Sequence, residues 1–228
     1  KILHKKYSTY LIDVDNDCEK LVRNILKIKP DIIFNCLHGF FGEDGQVQSI
    51  LNYLKIPYTH SDVLTSSLAM NKHFSKILFE KIGVKCPKGQ LLKNINSSIK
   101  INFPKIIKPI CGGSSNGLIK VNSKKELEEF CKKKQSKPDK LIIEEFIPGR
   151  EITVGILENK VCGIMEIIFD SELYDYKNKY VKIAKHIINP KLPKSIEREL
   201  KNTSLLIHKE MNCNCLSRLD FRYNKKNN

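Results

Sequence analysis

No apolar run in these 228 residues approaches the ~20 needed to cross a membrane; the longest, Leu141-Ile-Ile143 and Ile164-Met-Glu-Ile-Ile-Phe169, stop far short. The opening residues Lys1-Ile-Leu-His-Lys-Lys-Tyr7 lack the apolar core and small-residue cleavage site of a secretory signal. A cytoplasmic location with no membrane partner is therefore the default expectation. Close-spaced cysteine pairs are also scarce. The eight cysteines are scattered, several inside apolar segments such as Ile32-Ile-Phe-Asn-Cys-Leu37, which suits small core residues in a reducing compartment. Only Cys213-Asn-Cys215 is tight, and one C-x-C without a second pair is a weak zinc signal. Arginines are few and no internal repeat is visible. The formal charge of +15 would suit phosphate neutralisation on a nucleic acid, yet the lysines are dispersed beside Asn and Ile rather than gathered in a stripe. The densest run, Lys132-Lys-Lys-Gln-Ser-Lys-Pro-Asp-Lys140, follows a helical stretch and reads as a solvated turn. No nucleic-acid partner is expected.

What is present is the composition of a folded protein, 41% hydrophobic and 29% charged, with length for one large or two modest cores. The first part reads strand (10–14), helix (18–28), strongly apolar strand (31–37), helix (46–54) and short strand (56–59). This βαβ rhythm predicts a parallel sheet with functional residues at strand C-terminal ends, where His38 and Glu43 fall. From Asp62 the pattern turns helical (66–70 and 71–82, stopped by Gly83). Strands at 105–108 and 118–121 and an amphipathic helix begun by Asn122 and Ser123 follow. Three strands (140–147, 151–157, 161–169) with turns at Pro148-Gly149 and Glu158-Asn159 predict antiparallel sheet. Residues 170–190 lack a period and read as a long functional loop. A helix (195–211) and a strand (216–222) complete the pattern.

The most informative stretch is Phe103-Pro-Lys-Ile-Ile-Lys-Pro-Ile-Cys-Gly-Gly-Ser-Ser-Asn-Gly117. It sets Lys108 on a buried strand a few residues before a loop too small in side chain to pack but able to offer consecutive N–H groups to an anion. It is neither a Walker loop nor a dinucleotide turn; alone, it reads equally well as a flexible hairpin turn. A triphosphate enzyme needs cations, an adenine slot, a ribose acceptor and a carboxylate for magnesium. Lys72, Lys108 and Lys179 are candidate cations, although any one lysine is usually a surface lysine. Residues 144–147, Glu144, Glu145, Phe146 and Ile147, end a strand and would leave backbone groups free for a purine edge. Glu151 suits ribose hydroxyls. Arg218 and Asp220 share one strand face, which is more often the pattern of a structural ion pair than of a site.

In order along the chain stand His-Gly-x-x-Gly-Glu-Asp-Gly, Pro-Tyr-Thr, Ala-Met-Asn-Lys, Lys-Pro-x-x-Gly-Gly-Ser-Ser, Glu-Glu-Phe-Ile-Pro-Gly-Arg-Glu-x-Thr-Val, Tyr-Asp-Tyr-x-x-Lys-Tyr and Ser-Arg-Leu-Asp-Phe. This series resembles the D-alanine:D-alanine ligases of the ATP-grasp superfamily over nearly the whole chain. The resemblance implies an α/β fold, α+β in the ATP-binding part: a partial N-terminal parallel α/β domain (1–61), a central lobe (62–144) and an incomplete C-terminal lobe (145–228) that clasp ATP. It implies ATP-driven joining of two D-alanine molecules through a D-alanyl phosphate, for peptidoglycan precursors, with Mg2+ or Mn2+. By position, His38 and Glu43 would place the first D-alanine. Lys72 and Lys108 would hold phosphates, with Ser114 and Ser115 in a mobile loop over them. Residues 144–147 would hold adenine and Glu151 the ribose. Tyr174, Lys179 and Tyr180 match a lid, Tyr180 reaching Ser114 on closure and Lys179 the γ-phosphate, which would shield an acyl phosphate from water. Arg218 would steady charge on the intermediate and Asp220 would bind magnesium.

The family's first strand with Gly-Gly-x-Ser-x-Glu-Arg-Glu-Val-Ser, and its Glu-x-Asn-x-x-Pro-Gly with two further metal ligands, find no match in these residues. The expectation is therefore a chain truncated at both ends, with little turnover alone. Smaller departures are Asn71, where the family usually has Asp, and Gly112, where Glu is common. The family's dimers imply a homodimer. Competing readings are a relative that uses D-lactate or D-serine second, a nucleotide-binding remnant without activity, and a basic nucleic-acid module that has no use for His38, Lys108, Glu151 and Asp220.

Overall fold

The structure is a computed structural model and describes residues 2–15, 17–92, 102–113, 116–134, 140–169 and 184–225. After a 3-10 turn (Leu3–Lys5), helix α1 (Cys18–Ile28) starts where the Asp17 carboxylate accepts the Lys20 N–H at 2.9 Å and ends on Lys29 in the left-handed region, φ 51°. Its inward residues Leu21 and Ile25 meet Val47 and Leu51 of α2 (Gln46–Tyr53), with Ile33, Leu37, Phe41 and Tyr58 packed around them. Each such buried aliphatic side chain stabilises by roughly 1.5–3 kcal/mol.

The predicted strands of this part shrink to one parallel rung, Ile33 opposite Tyr58, with the Ile33 N–H on Pro57 O at 2.8 Å and the Thr59 N–H on Ile33 O at 3.0 Å. Residues 10–14 form no ladder, and Leu11 is 98% exposed. Alternation of apolar residues specifies which side chains pack. A ladder also needs a neighbour of matching length and register.

Helix α3 (Val63–Met70) begins three residues before the predicted position because Asp62 caps it through the Thr65 N–H, 2.8 Å. Helix α4 (Lys72–Lys81) follows directly, capped by Asn71, whose side-chain oxygen accepts from His73 and Phe74. The first sheet is antiparallel throughout, in the order β1 (Gly89–Leu92), β4 (Leu141–Glu145), β2 (Lys105–Pro109), β3 (Ile119–Val121). Helix α5 (Lys124–Lys134) belongs to the core of that sheet, where Leu127 and Cys131 pack with Ile107, Val121, Leu141 and Ile143. Strand β1 was not predicted.

The second sheet, also antiparallel, runs β7 (Lys185–Ile188), β6 (Lys160–Ile168), β5 (Arg150–Leu157), β8 (Leu216–Tyr223). The β5–β6 hairpin turns on Glu158 and Asn159, both at positive φ (49° and 63°), as a two-residue turn matched to strand twist requires. Strand β7 lies inside the stretch expected to be loop, a correction: it extends the sheet by pairing with β6 from Met165 to Ile168. Helix α6 (Lys194–Glu210) covers one face, where Leu200 joins Ile152, Val154 and Ile164. The end of α6 is tied to α3 by the Thr65 hydroxyl on Met211 O, 2.9 Å, and the segment after it by the Asn214 N–H on Ser61 Oγ, 3.1 Å.

Candidate functional site

Period-two alternation divides the first sheet. Ile107 and Ile143 face the α5 core, which leaves Ile106, Lys108, Ile142 and Glu144 together on the other face, with Ile106 opposite Glu144 and Lys108 opposite Ile142. Glu144 is 3% exposed. Its carboxylate binds the Lys108 ammonium at 2.5 Å and that of Lys76, one helical turn beyond Lys72 on α4, at 2.8 Å. Lys76 also donates to Pro87 O. Burial alone would raise the Glu144 pKa, but Lys108 and then Lys76 outweigh it and hold the group below its ordinary range.

Lys72 stands beside this group. Its backbone N–H donates to Ile110 O at 2.9 Å and its ammonium to Gly112 O at 2.7 Å. Burial, and then the neighbouring Lys108 charge, push its pKa down. Gly112, at φ +108°, turns the chain so that its carbonyl meets Lys72 while its N–H meets Met70 Sδ at 3.2 Å. Two lysines thus share one carboxylate and a third stands beside them next to a glycine-rich loop, an excess of positive charge suited to a polyanion. Ser114 and Ser115 lie outside the described residues.

Where the chain leaves the first sheet, several backbone groups of residues 144–147 already have partners within the protein. The Glu145 N–H donates to Lys88 O and the Phe146 N–H to Pro104 O, while Ile147 O accepts from Arg222 Nε at 3.1 Å. The Glu145 carboxylate accepts the Lys88 N–H, and the Glu144 side chain is committed to its lysines. These hydrogen bonds fasten the crossing segment between the two sheets. Lys120 Nζ lies 4.4 Å from the Phe146 ring centre and the Arg222 guanidinium 6.0 Å from it. Gly149 has φ +132°, and a Cβ there would meet Tyr223 O at 2.2 Å. Beside this segment lies a cavity of about 310 Å³, bounded by Phe146, Pro148, Glu151, Ile167, Phe169 and Arg222. Glu151 faces Arg222 across the β5–β8 pair, carboxylate to Nη1 at 2.9 Å.

The same register puts Thr153 opposite Asp220 and Gly155 opposite Arg218. Arg218, Asp220 and Arg222 therefore share the sheet face opposite the α6 core, with Glu151 and Thr153 beside them. Arg218 and Asp220 pair at 3.2 Å with side chains 67% and 50% exposed, a contact worth less than about 1 kcal/mol and easily exchanged for a ligand. The Thr153 hydroxyl is buried without a partner among the described residues. Behind Arg218, Ser217 Oγ meets His208 Nδ1 at 2.7 Å. His208 is fully buried, and burial lowers its pKa.

No cluster of three His, Cys, Asp or Glu exists among the described residues, so neither a zinc site at Cys213 and Cys215 nor an all-protein metal cage is formed by them. A single half-exposed carboxylate, Asp220, does fit a magnesium ion that takes most of its ligands from phosphate oxygens and water.

His38 and Glu43 occupy the loop before α2. The Glu43 carboxylate accepts the Gly39 N–H, and its own N–H returns to Gly39 O at 2.9 Å. Asn35 and Gln48 both donate to Gly42 O at 2.9 Å, and Ser67 Oγ on α3 holds Asp44 O at 2.7 Å. Both His38 and Glu43 are exposed on a loop braced from behind. The structure thus gathers Lys72, Lys108 and Glu144 in one group, and Phe146, Glu151 and Arg222 in another with Arg218 and Asp220 further along β8. His38 and Glu43 connect to these through Asp44 and α3, with no described contact to either group. Tyr174, Lys179 and Tyr180 lie outside the described residues. Sequence reasoning missed Lys76, Lys120 and Arg222. The signal for two of them was periodicity, Lys76 four residues after Lys72 and Arg222 two after Asp220.

Two family descriptions match the chain in tandem, "D-ala D-ala ligase N-terminus" over residues 6–61 and "D-ala D-ala ligase C-terminus" over residues 75–228. A curated D-alanine–D-alanine ligase of Wolbachia pipientis subsp. Culex pipiens (strain wPip) is 37% identical over 226 residues, 97% of this chain and 70% of the relative. Among solved structures, a D-alanine–D-alanine ligase from Bacillus anthracis aligns with TM-score 0.80 at 29% identity, over 97% of this chain and 74% of that one. A structure of that organism's ligase complexed with ATP aligns with TM-score 0.78 at 27% identity, over 92% and 69%.

Proposed function

Because the chain belongs to the D-alanine–D-alanine ligase family, we propose that it serves ATP-dependent joining of two D-alanine molecules for peptidoglycan precursor synthesis. The observation that carries this reading is the pairing of two groups on one molecule: lysines around Glu144 beside a glycine-rich loop, suited to a triphosphate, and the Phe146–Glu151 cavity, suited to a nucleoside. In the first step an oxygen of one D-alanine carboxylate attacks the γ-phosphorus, the bond to the β-phosphate oxygen breaks, and ADP leaves. In the second the amine of another D-alanine attacks the acyl carbon, inorganic phosphate leaves with the bonding pair, and the nitrogen loses a proton.

On this reading Lys72 and Lys108 hold the phosphates, positioned by Gly112 O and Glu144. Glu151 accepts from ribose, and residues 144–147 form the edge of the adenine slot. His38 and Glu43 orient the first D-alanine from the braced loop. Arg218 steadies developing negative charge once it exchanges Asp220 for substrate, and Asp220 would hold a divalent cation, which supplies countercharge to phosphate oxygens. Ser114, Ser115, Tyr174, Lys179 and Tyr180 retain the loop and lid roles that the resemblance implies. We place the protein in the cytoplasm, as a homodimer, with working units at 1–61, 62–144 and 145–228.

The test is ADP release by the protein as expressed from its own gene, with mass detection of the dipeptide. Release that requires both D-alanine and Mg2+, and that falls at least about a hundredfold in Lys108→Met, is the expected result. ATP consumption indifferent to D-alanine would refute the reading, and offering D-serine or D-lactate as second substrate reads the acceptor choice.

A further inference from the structure

We propose that Arg222 is a positioning residue for nucleoside recognition, setting the orientation of Glu151 and locking the segment that joins the two sheets. The inference rests on the nucleotide reading of the adjacent cavity. One guanidinium makes three contacts: Nε to Ile147 O at 3.1 Å, Nη1 to Glu151 Oε2 at 2.9 Å, and its central carbon over the Phe146 ring at 6.0 Å from the ring centre, a ring that also carries Lys120 at 4.4 Å. These join β8 to β5, to the crossing segment and, through Phe146 and Lys120, to β3 of the first sheet.

The Arg222 and Glu151 side chains are 23% and 20% exposed, and both line the cavity. A contact so shielded from water is stronger and more directional than a surface pair. A carboxylate offers about four acceptor directions. Fixing one oxygen on a rigid fork limits the orientations of the carboxylate at the cavity wall, where a hydroxyl donor is recognised by geometry as well as charge. Lysine cannot reproduce this arrangement, since it carries a point charge without the planar fork.

The experiment is calorimetric binding of ATP, 2′-deoxy-ATP and 3′-deoxy-ATP to the full chain, wild type and as Arg222→Met, Arg222→Lys and Glu151→Gln, each checked for native folding by thermal melting. Wild type is expected to favour ATP over at least one deoxynucleotide. Arg222→Met and Arg222→Lys should each weaken ATP by about tenfold, the cost of one charged hydrogen bond, and bring the ATP-to-deoxynucleotide ratio towards one, as Glu151→Gln does. If Arg222→Met proves unfolded, Arg222→Lys alone carries the reading. The inference is overturned if the folded Arg222 variants keep the wild-type ratio while Glu151→Gln loses it, because Arg222 is then only a structural strap. If wild type binds no ATP, or if Glu151→Gln leaves the ratio intact, the nucleoside reading of the cavity itself fails, and the inference with it.

Discussion

Replacing Glu144 by Gln removes the charge that reconciles two lysines with a largely buried site while keeping the side chain's shape. In the native protein a carboxylate 4% exposed faces Lys76 and Lys108, themselves 13% and 25% exposed. Removing one partner of a buried ion pair costs about 3–5 kcal/mol, because the other charge stays buried without compensation. Gln still accepts one hydrogen bond, so the lower end, about 3 kcal/mol, applies here. For a chain of this size about 3 kcal/mol lowers the melting temperature by roughly 6–12 °C.

Thermal unfolding at neutral pH measures the loss, and a cycle with Lys76→Met and the double variant isolates the pair. The double variant should be less destabilised than the sum of the singles by at least about 1 kcal/mol. The pH dependence has a definite sign. Glu144 is held below its unfolded value of about 4.3, so its contribution is fully present above that pH and disappears as pH falls through the folded value. Acid titration should therefore separate wild type from Glu144→Gln above pH about 4.3 and bring them together below it. A melting shift under about 2 °C, or strictly additive singles, would refute the claim that this triad is held together by charge.

Three further outcomes follow from the geometry. His208 is buried and its pKa is lowered by burial; its folded state binds fewer protons than the unfolded, so stability should decline as pH drops below about 6.5, and His208→Gln should flatten that decline in urea titrations. Gly149→Ala forces a Cβ against Tyr223 O at a positive φ, so a loss above about 2 kcal/mol is expected by chemical denaturation; a loss below about 0.5 kcal/mol would mean the crossing segment is looser than described. The Ser204 hydroxyl is fully buried with no hydrogen-bond partner among the described residues, so Ser204→Ala should leave the melting temperature unchanged or raise it by a few degrees, and a fall would reveal a partner.

What the primary sequence determined by itself was local structure and kinship. The apolar spacing and caps of α1 and α4, the Glu158-Asn159 turn and the antiparallel runs around it are set by hydrogen bonds and periodicities within a few residues. The order of motifs was enough to point to the family. The tertiary structure decided what depends on register between distant segments. It alone shows that Glu144 meets Lys76 across 68 positions and Arg222 meets Glu151 across 71, that β7 joins a sheet rather than a loop, and that the first predicted strands contribute packing but only a single rung of ladder. A charge pair or a ladder forms only where folding brings backbones to matching positions, and no short window of sequence carries that distance.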